Sequence, residues 1–185
     1  MITLSLALSA GCSGISVDPY DQANRNVADA NEAIEEHNKI FADARSTYEE
    51  ARESVEAGET TSAETTTQEV ERITQAREGM EEARDTLEEA REPLSEVQNL
   101  EVEAQIQEYA RLLSEAIDAQ LAAESREIDF YELLEQDPTL ADNREEAEGI
   151  LTEVGDGYEE AENAYERARE VANANPELLP EGSQA

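Results

Sequence analysis

The chain has no tryptophan, one cysteine (Cys12), one histidine (His37), one lysine (Lys39), two methionines, and eight aromatic residues, six Tyr and two Phe. Each scarcity closes a door. A single cysteine excludes a disulfide within the chain, and no base stands near Cys12 in sequence to activate it as a thiol nucleophile. A lone histidine leaves Ser-His-Asp chemistry without a suitable partner. No glycine-rich phosphate loop and no EF-hand-like loop is present. The apolar or small, uncharged stretch Ile2 to Ala10 is far shorter than the ~20 residues that cross a bilayer. Cations are scarce as well. Lys+Arg number 13 against 47 Asp+Glu, a formal charge of -34 over 185 residues. Phosphates would be repelled by such a surface, so no nucleic-acid partner is expected, and an anionic membrane face is disfavoured for the same reason.

What is abundant is Glu, Ala and Arg in a strict apolar rhythm, which a disordered acidic chain does not keep. Asp18-Pro19 reads as a helix start, an N-cap followed by proline at the first helical position. From it run Tyr20, Ala23, Val27, Ala30, Ile34, His37, Phe41, Ala44, Tyr48, Ala51 and Val55, spaced three and four apart for about five heptads. Ala57-Gly58 ends this helix, and "ETTSAETTT" reads as a loop. Thr60–Thr67 is a surface loop whose hydroxyls could carry O-glycans outside a cell; no Asn-x-Ser/Thr sequon occurs.

The second helix opens on a capping box, Thr66 with Glu69. Its seam is Ile73, Ala76, Met80, Ala83, Leu87, Ala90, Leu94 and Val97. Pro93 should end or kink it, so "EPLSEVQN" is the expected connection. The third helix is expected from about Leu100 to Glu135. Val102, Ile106, Tyr109, Leu113 and Ala116 start in register. Ile117, Leu121, Ala122, Ile128, Phe130, Tyr131, Leu133 and Leu134 then widen the stripe, as suits a helix buried against two neighbours. Asp137-Pro138 repeats the opening device of the first helix. The fourth seam is Ala147, Leu151, Val154, Tyr158, Ala161, Tyr165, Ala168 and Ala172, and its phase passes unbroken through "GDG" at Gly155–Gly157. Asn175-Pro176 stops it. The segments "YEEARESVE", "GMEEARDTLEEARE" and "GYEEAENAYERARE" resemble one another, which fits an old helix duplication and equally the Glu-Glu-Ala-Arg strings that recur in any heptad protein.

The expectation is an all-α protein, an antiparallel up-down bundle of about four long helices. The alternative is an elongated three-helix coiled-coil rod with a kink at Pro93. Residues 18–175 form the bundle domain, and 176–185 a disordered tail. His37 lies on the first seam. A metal-binding role like that in di-iron carboxylate bundles would need Glu-x-x-His on two helices, but Ile34 stands where the Glu should be and no second His exists. A core histidine bonded between helices is expected. Acidic pairs such as Glu49-Glu50, Glu81-Glu82, Glu88-Glu89, Glu145-Glu146 and Glu159-Glu160 fall mainly off the seams, on a hydrated surface. No catalytic residue, metal ligand or cofactor is expected, and a small-molecule ligand is not anticipated.

Two resemblances complete the picture. Near-absence of Lys beside abundant Arg and Glu resembles the proteins of salt-loving archaea, in which molar salt screens carboxylates to a Debye length of ~3 Å. The stretch Leu8-Ser9-Ala10-Gly11-Cys12 resembles the lipobox of bacterial and archaeal lipoproteins, with Ser9 where that family usually has Leu. The resemblance implies cleavage after Gly11 and a lipid on Cys12. Residues 1–11 would then be a signal-peptide remnant and 12–17 a tether. Twin-arginine export, common in salt-loving members, would need a charged leader upstream of Met1. A membrane-anchored lipoprotein on the extracellular face is therefore expected, its bundle a non-catalytic interaction or structural module with a protein partner or itself. A carrier or enzyme with a cavity in the bundle core is one alternative, a cytoplasmic coiled-coil protein another.

Overall fold

The computed structural model describes residues 18–56 and 67–179. Among them are five helical segments and no strand: α1 (Pro19–Glu56), α2 (Thr67–Glu89), α3 (Arg91–Gln98), α4 (Ala104–Gln136) and α5 (Arg144–Ala174). Cys12, the lipobox, the Thr66–Glu69 box, most of the Thr60–Thr67 loop and residues 180–185 lie outside the described residues or their described side chains.

The heptad seams bury one another, and the pairing fixes direction. One apolar cluster gathers Ala23, Val27 and Ala30 of α1, Leu87 and Ala90 at the end of α2, and Leu94 and Val97 of α3. It also takes Ile106 to Leu121 of α4 and Ala168 and Ala172 of α5. The other gathers Ala44 and Tyr48, Ile73 to Met80, Phe130 to Leu134, and Ala147 to Val154. Early α1 thus meets late α2, early α4 and late α5, so successive helices alternate in direction. The bundle is antiparallel and up-down, with α2 and α3 together serving as its second rod, and the elongated rod is not formed. α4 packs on α5, α2 and α3, whereas α1 lies on α2 and α3 and meets α4 and α5 only lightly.

The connections differ from expectation in three places. Glu92 to Gln98 of "EPLSEVQN" are helix rather than connection, with Asn99 as the C-cap. Pro93 acts as a break in front of itself: the Ala90 N–H bonds Leu87 O at 3.1 Å, one helix ends at Glu89, and Pro93 sits in the first turn of the next, where its missing donor costs little. The true connection is Asn99–Glu103, and the third rod begins at Ala104. Asp137-Pro138 opens no helix. Asp137 caps a turn instead, accepting from Thr139 Oγ1 at 2.9 Å and the Asp142 N–H at 3.0 Å. Leu140 adopts φ 50°, which stops a helix, while its side chain enters the second apolar cluster. α5 starts only at Arg144. Finally, Pro176 to Leu179 are not a free tail: Leu179 is buried in the first cluster, and the Tyr20 hydroxyl donates to Glu177 O at 3.1 Å. Ala122, placed on the seam by sequence, faces solvent, and Ala123 takes the buried position.

Candidate functional site

Between the two apolar clusters lies a layer of buried polar side chains. α1 brings His37 and, one and two turns on, Phe41 and Arg45. α4 brings Gln120, Glu124, Glu127 and Tyr131, whose spacing of four, three and four sets them on one helical face. α5 brings Tyr158 and Tyr165, seven apart on one stripe. His37, Glu124 and Glu127 are fully buried. On α2, the buried Ala83 falls between Met80 of the second cluster and Leu87 of the first.

The layer has two halves. In the first, His37 Nε2 stands 2.7 Å from Glu124 Oε1, and Gln120 Nε2 donates to the same oxygen at 2.9 Å. The Tyr165 hydroxyl donates to Gln120 Oε1 at 2.9 Å, which fixes the amide so that its nitrogen faces Glu124. At this contact the imidazole donates where Glu124 is a carboxylate, which has acceptors only. The ring's Nδ1 faces Asn38 Oδ1 at 3.1 Å. Glu124 Oε2 is buried without a hydrogen-bond partner.

In the second half, the Tyr158 hydroxyl donates to Glu127 Oε2 at 2.8 Å. The Tyr131 hydroxyl lies 3.3 Å from Glu127 Oε1 and 3.2 Å from Ala44 O on α1. Arg45 roofs this half, its guanidinium 4.4 Å from the Tyr158 ring centre, 5.1 Å from Phe41 and 5.4 Å from Tyr48. Burial pushes the Glu127 carboxyl up to about 7, against the opposing pull of the Tyr158 hydroxyl and the Arg45 charge. Burial likewise raises the Tyr48 phenol to about 12 and lifts Tyr131, Tyr158 and Tyr165 well above the usual range. Arg45 is held above its ordinary value by Glu127 in spite of its own desolvation.

Beside this layer, and bordered by its Arg45 and Tyr158, a groove of about 660 Å³ runs between the late part of α1 and the early part of α5, with Tyr48, Arg52, Arg144 and Leu151 among its other walls. Its volume suits a small ligand. Its three arginines, however, already bond carboxylates: Arg45 and Arg52 share Glu49, and Arg144 pairs with Glu148. Glu127 does not border it. Among the described residues, no group of three or more His, Cys, Asp or Glu side chains is placed to hold a metal ion. No helix among them is long and apolar enough to cross a membrane.

Sequence reasoning placed His37 correctly, in the core and bonded between helices. The five acidic pairs stand on or near the surface, as expected; Glu49 and Glu81 are the most enclosed and pair with arginines. Gln120, Glu124 and Glu127 were missed, though a signal for two of them existed. Extending the seam of α4 past Ala116 with the same four-three step lands on Gln120, Ala123 and Glu127.

The architecture defines a class, an acidic four-rod helical bundle with a polar layer sealed across its middle. No protein-family model matches the chain, and comparison with curated proteins and with solved structures returns no match.

Proposed function

We propose that this chain is a lipid-anchored lipoprotein of the outer cell surface, whose bundle is a non-catalytic interaction or structural module in a salt-rich setting. The observation that carries the reading is the position of Cys12. The one thiol ends the one uncharged apolar run, a few residues ahead of the helix start at Asp18-Pro19. An acyl chain there would hold the bundle at the membrane by ~0.8 kcal/mol per buried CH₂. The packing supports a non-catalytic body. Alanine-lined seams bring helices close, and the buried carboxylates are covered by hydroxyls, an imidazole and a guanidinium rather than facing a chamber for substrate. The carrier alternative has the α1–α5 groove in its favour, but a ligand that used its arginines would compete with the carboxylates they already hold.

The test is mass spectrometry of the N-terminus of protein from its native host, with detergent phase partitioning. A peptide beginning at lipid-modified Cys12 and a detergent-phase protein are expected, and Cys12→Ala should move the protein out of the membrane fraction. An unmodified N-terminus at Met1 would remove the anchor and favour the cytoplasmic coiled-coil alternative.

A further inference from the structure

The Tyr131 hydroxyl has one hydrogen and two acceptors at nearly equal distance, Ala44 O on α1 and Glu127 Oε1 on its own helix. An ionised carboxylate is the stronger acceptor, because its hydrogen bonds are charge-assisted. A protonated carboxyl with its hydrogen on Oε1 reverses the roles: Oε1 donates to the tyrosine oxygen, and the tyrosine hydrogen is left for Ala44 O. We propose that Glu127 is a proton-operated latch, whose protonation directs the Tyr131 hydroxyl onto Ala44 O and so ties the middle of α1 to the α4–α5 hairpin.

The setting gives that one bond leverage. α1 meets α4 and α5 only lightly, and around its middle it does so through His37 on Glu124, Phe41 edge-on to Tyr158 at 5.8 Å, Arg45 over the Tyr158 ring at 4.4 Å and within the field of Glu127, Tyr48 against Phe130 at 5.6 Å, and this hydroxyl. The titratable groups facing Glu127 are Arg45 and Tyr48 from α1, Glu124 and Tyr131 from α4, and Tyr158 from α5, with His37 beside Glu124. Between the two clusters α2 buries apolar side chains, Met80 and Ala83. Two buried carboxylates one turn apart face a single guanidinium and a single imidazole, so a proton on one of them relieves their mutual repulsion. The sign follows from linkage. A carboxyl that binds its proton more tightly folded than unfolded contributes stability in full below its ordinary value of 4.5, and that contribution is lost as pH rises through about 7.

The test uses the full chain with Cys12→Ser and spin labels at Ala42→Cys and Ala122→Cys, exposed sites on α1 and α4. Between about pH 5 and pH 8.5 the interspin distance should lengthen or broaden, and near-UV circular dichroism should change, since four of the six tyrosines stand in or beside this layer. Glu127→Gln, fixed in the neutral form, should abolish both changes. The unfolding constant of the wild type should rise over that pH range by about tenfold or more relative to the variant. Tyr131→Phe should keep the stability difference and lose the distance change. Should Glu127→Gln fail to fold, side-chain carboxyl ¹³C NMR of the wild type still decides: one glutamate must titrate near neutrality, and none doing so overturns the proposal. Superimposable pH responses in wild type and Glu127→Gln, or an unchanged distance response in Tyr131→Phe, overturn it too.

Discussion

Gly155 and Gly157 belong to one turn of α5, and the geometry gives them opposite meanings. A Cβ built at Gly157 would stand 2.9 Å from Ala123 Cβ on α4, whereas one at Gly155 would meet nothing within 4 Å. The close approach of α4 and α5 therefore rests on Gly157, and Gly155 only adds backbone freedom to the unfolded chain. Gly157→Ala should destabilise by about 1–3 kcal/mol through overpacking. Gly155→Ala should stabilise by about 0.5–1 kcal/mol, as Ala does in an open helix position. Urea unfolding of the two variants checks both signs at once. The "GDG" string was readable as helix because its phase continued, but which glycine mattered was not, since that depends on the neighbour across the interface. The same limit hid Glu124. Its place is one step off the α4 seam, and it is buried because α4 is enclosed on more than one side, with His37 of α1 closing over its carboxyl. Glu127 and Gln120 were on the seam and could be reached by counting. His37 was legible because a lone polar residue on an apolar stripe must find a partner when buried.

At the scale of elements, the instructive comparison is between two identical dipeptides. Asp18-Pro19 starts a helix: Asp18 Oδ1 accepts the Tyr20 N–H at 2.9 Å, and Asp18 O accepts the Gln22 N–H at 3.0 Å. Asp137-Pro138 makes a turn, because Leu140 three residues on swings into the core at positive φ. The local signal is the same, and tertiary burial decides. Pro93 shows the converse. The break it causes is real, yet Leu87, Ala90, Leu94 and Val97 are all fully buried on one stripe across it. Since the stripe needs no realignment, Pro93→Ala should let α2 and α3 fuse, restore a backbone donor at 93, and raise stability by about 1 kcal/mol, less than the ~3 kcal/mol of an interior proline. Far-UV circular dichroism should show more helix, and urea titration a higher midpoint. A loss of stability would mean that a bend at Ala90 is required to seat Leu94 and Val97.

For the whole molecule, two electrostatic effects oppose each other, and salt separates them. Arginines tie rods together at the surface: Arg77 to Glu135, Arg91 to Asp118, Arg167 to Glu115, and Arg126 to Glu153. Arg77–Glu135 is half-buried, and the other three are exposed pairs, which contribute about 0–1 kcal/mol each and weaken in salt. Against them stands a charge of -34 crowded onto one bundle, whose self-repulsion salt relieves. The excess of acids over all available cations makes repulsion the larger effect. Raising KCl from about 0.1 M to about 1 M shortens the Debye length from ~10 Å to ~3 Å. The bundle should gain about 2 kcal/mol, or about 4–8 °C in thermal midpoint for a chain of this size. Screening is nearly complete at that point, so the curve should flatten beyond it; Arg91→Gln, which removes only one exposed pair, should follow the same curve. A midpoint that instead falls steadily with salt would show that the surface pairs outweigh the repulsion. The physical ground for placing this chain in brine would then be gone, whatever Cys12 carries.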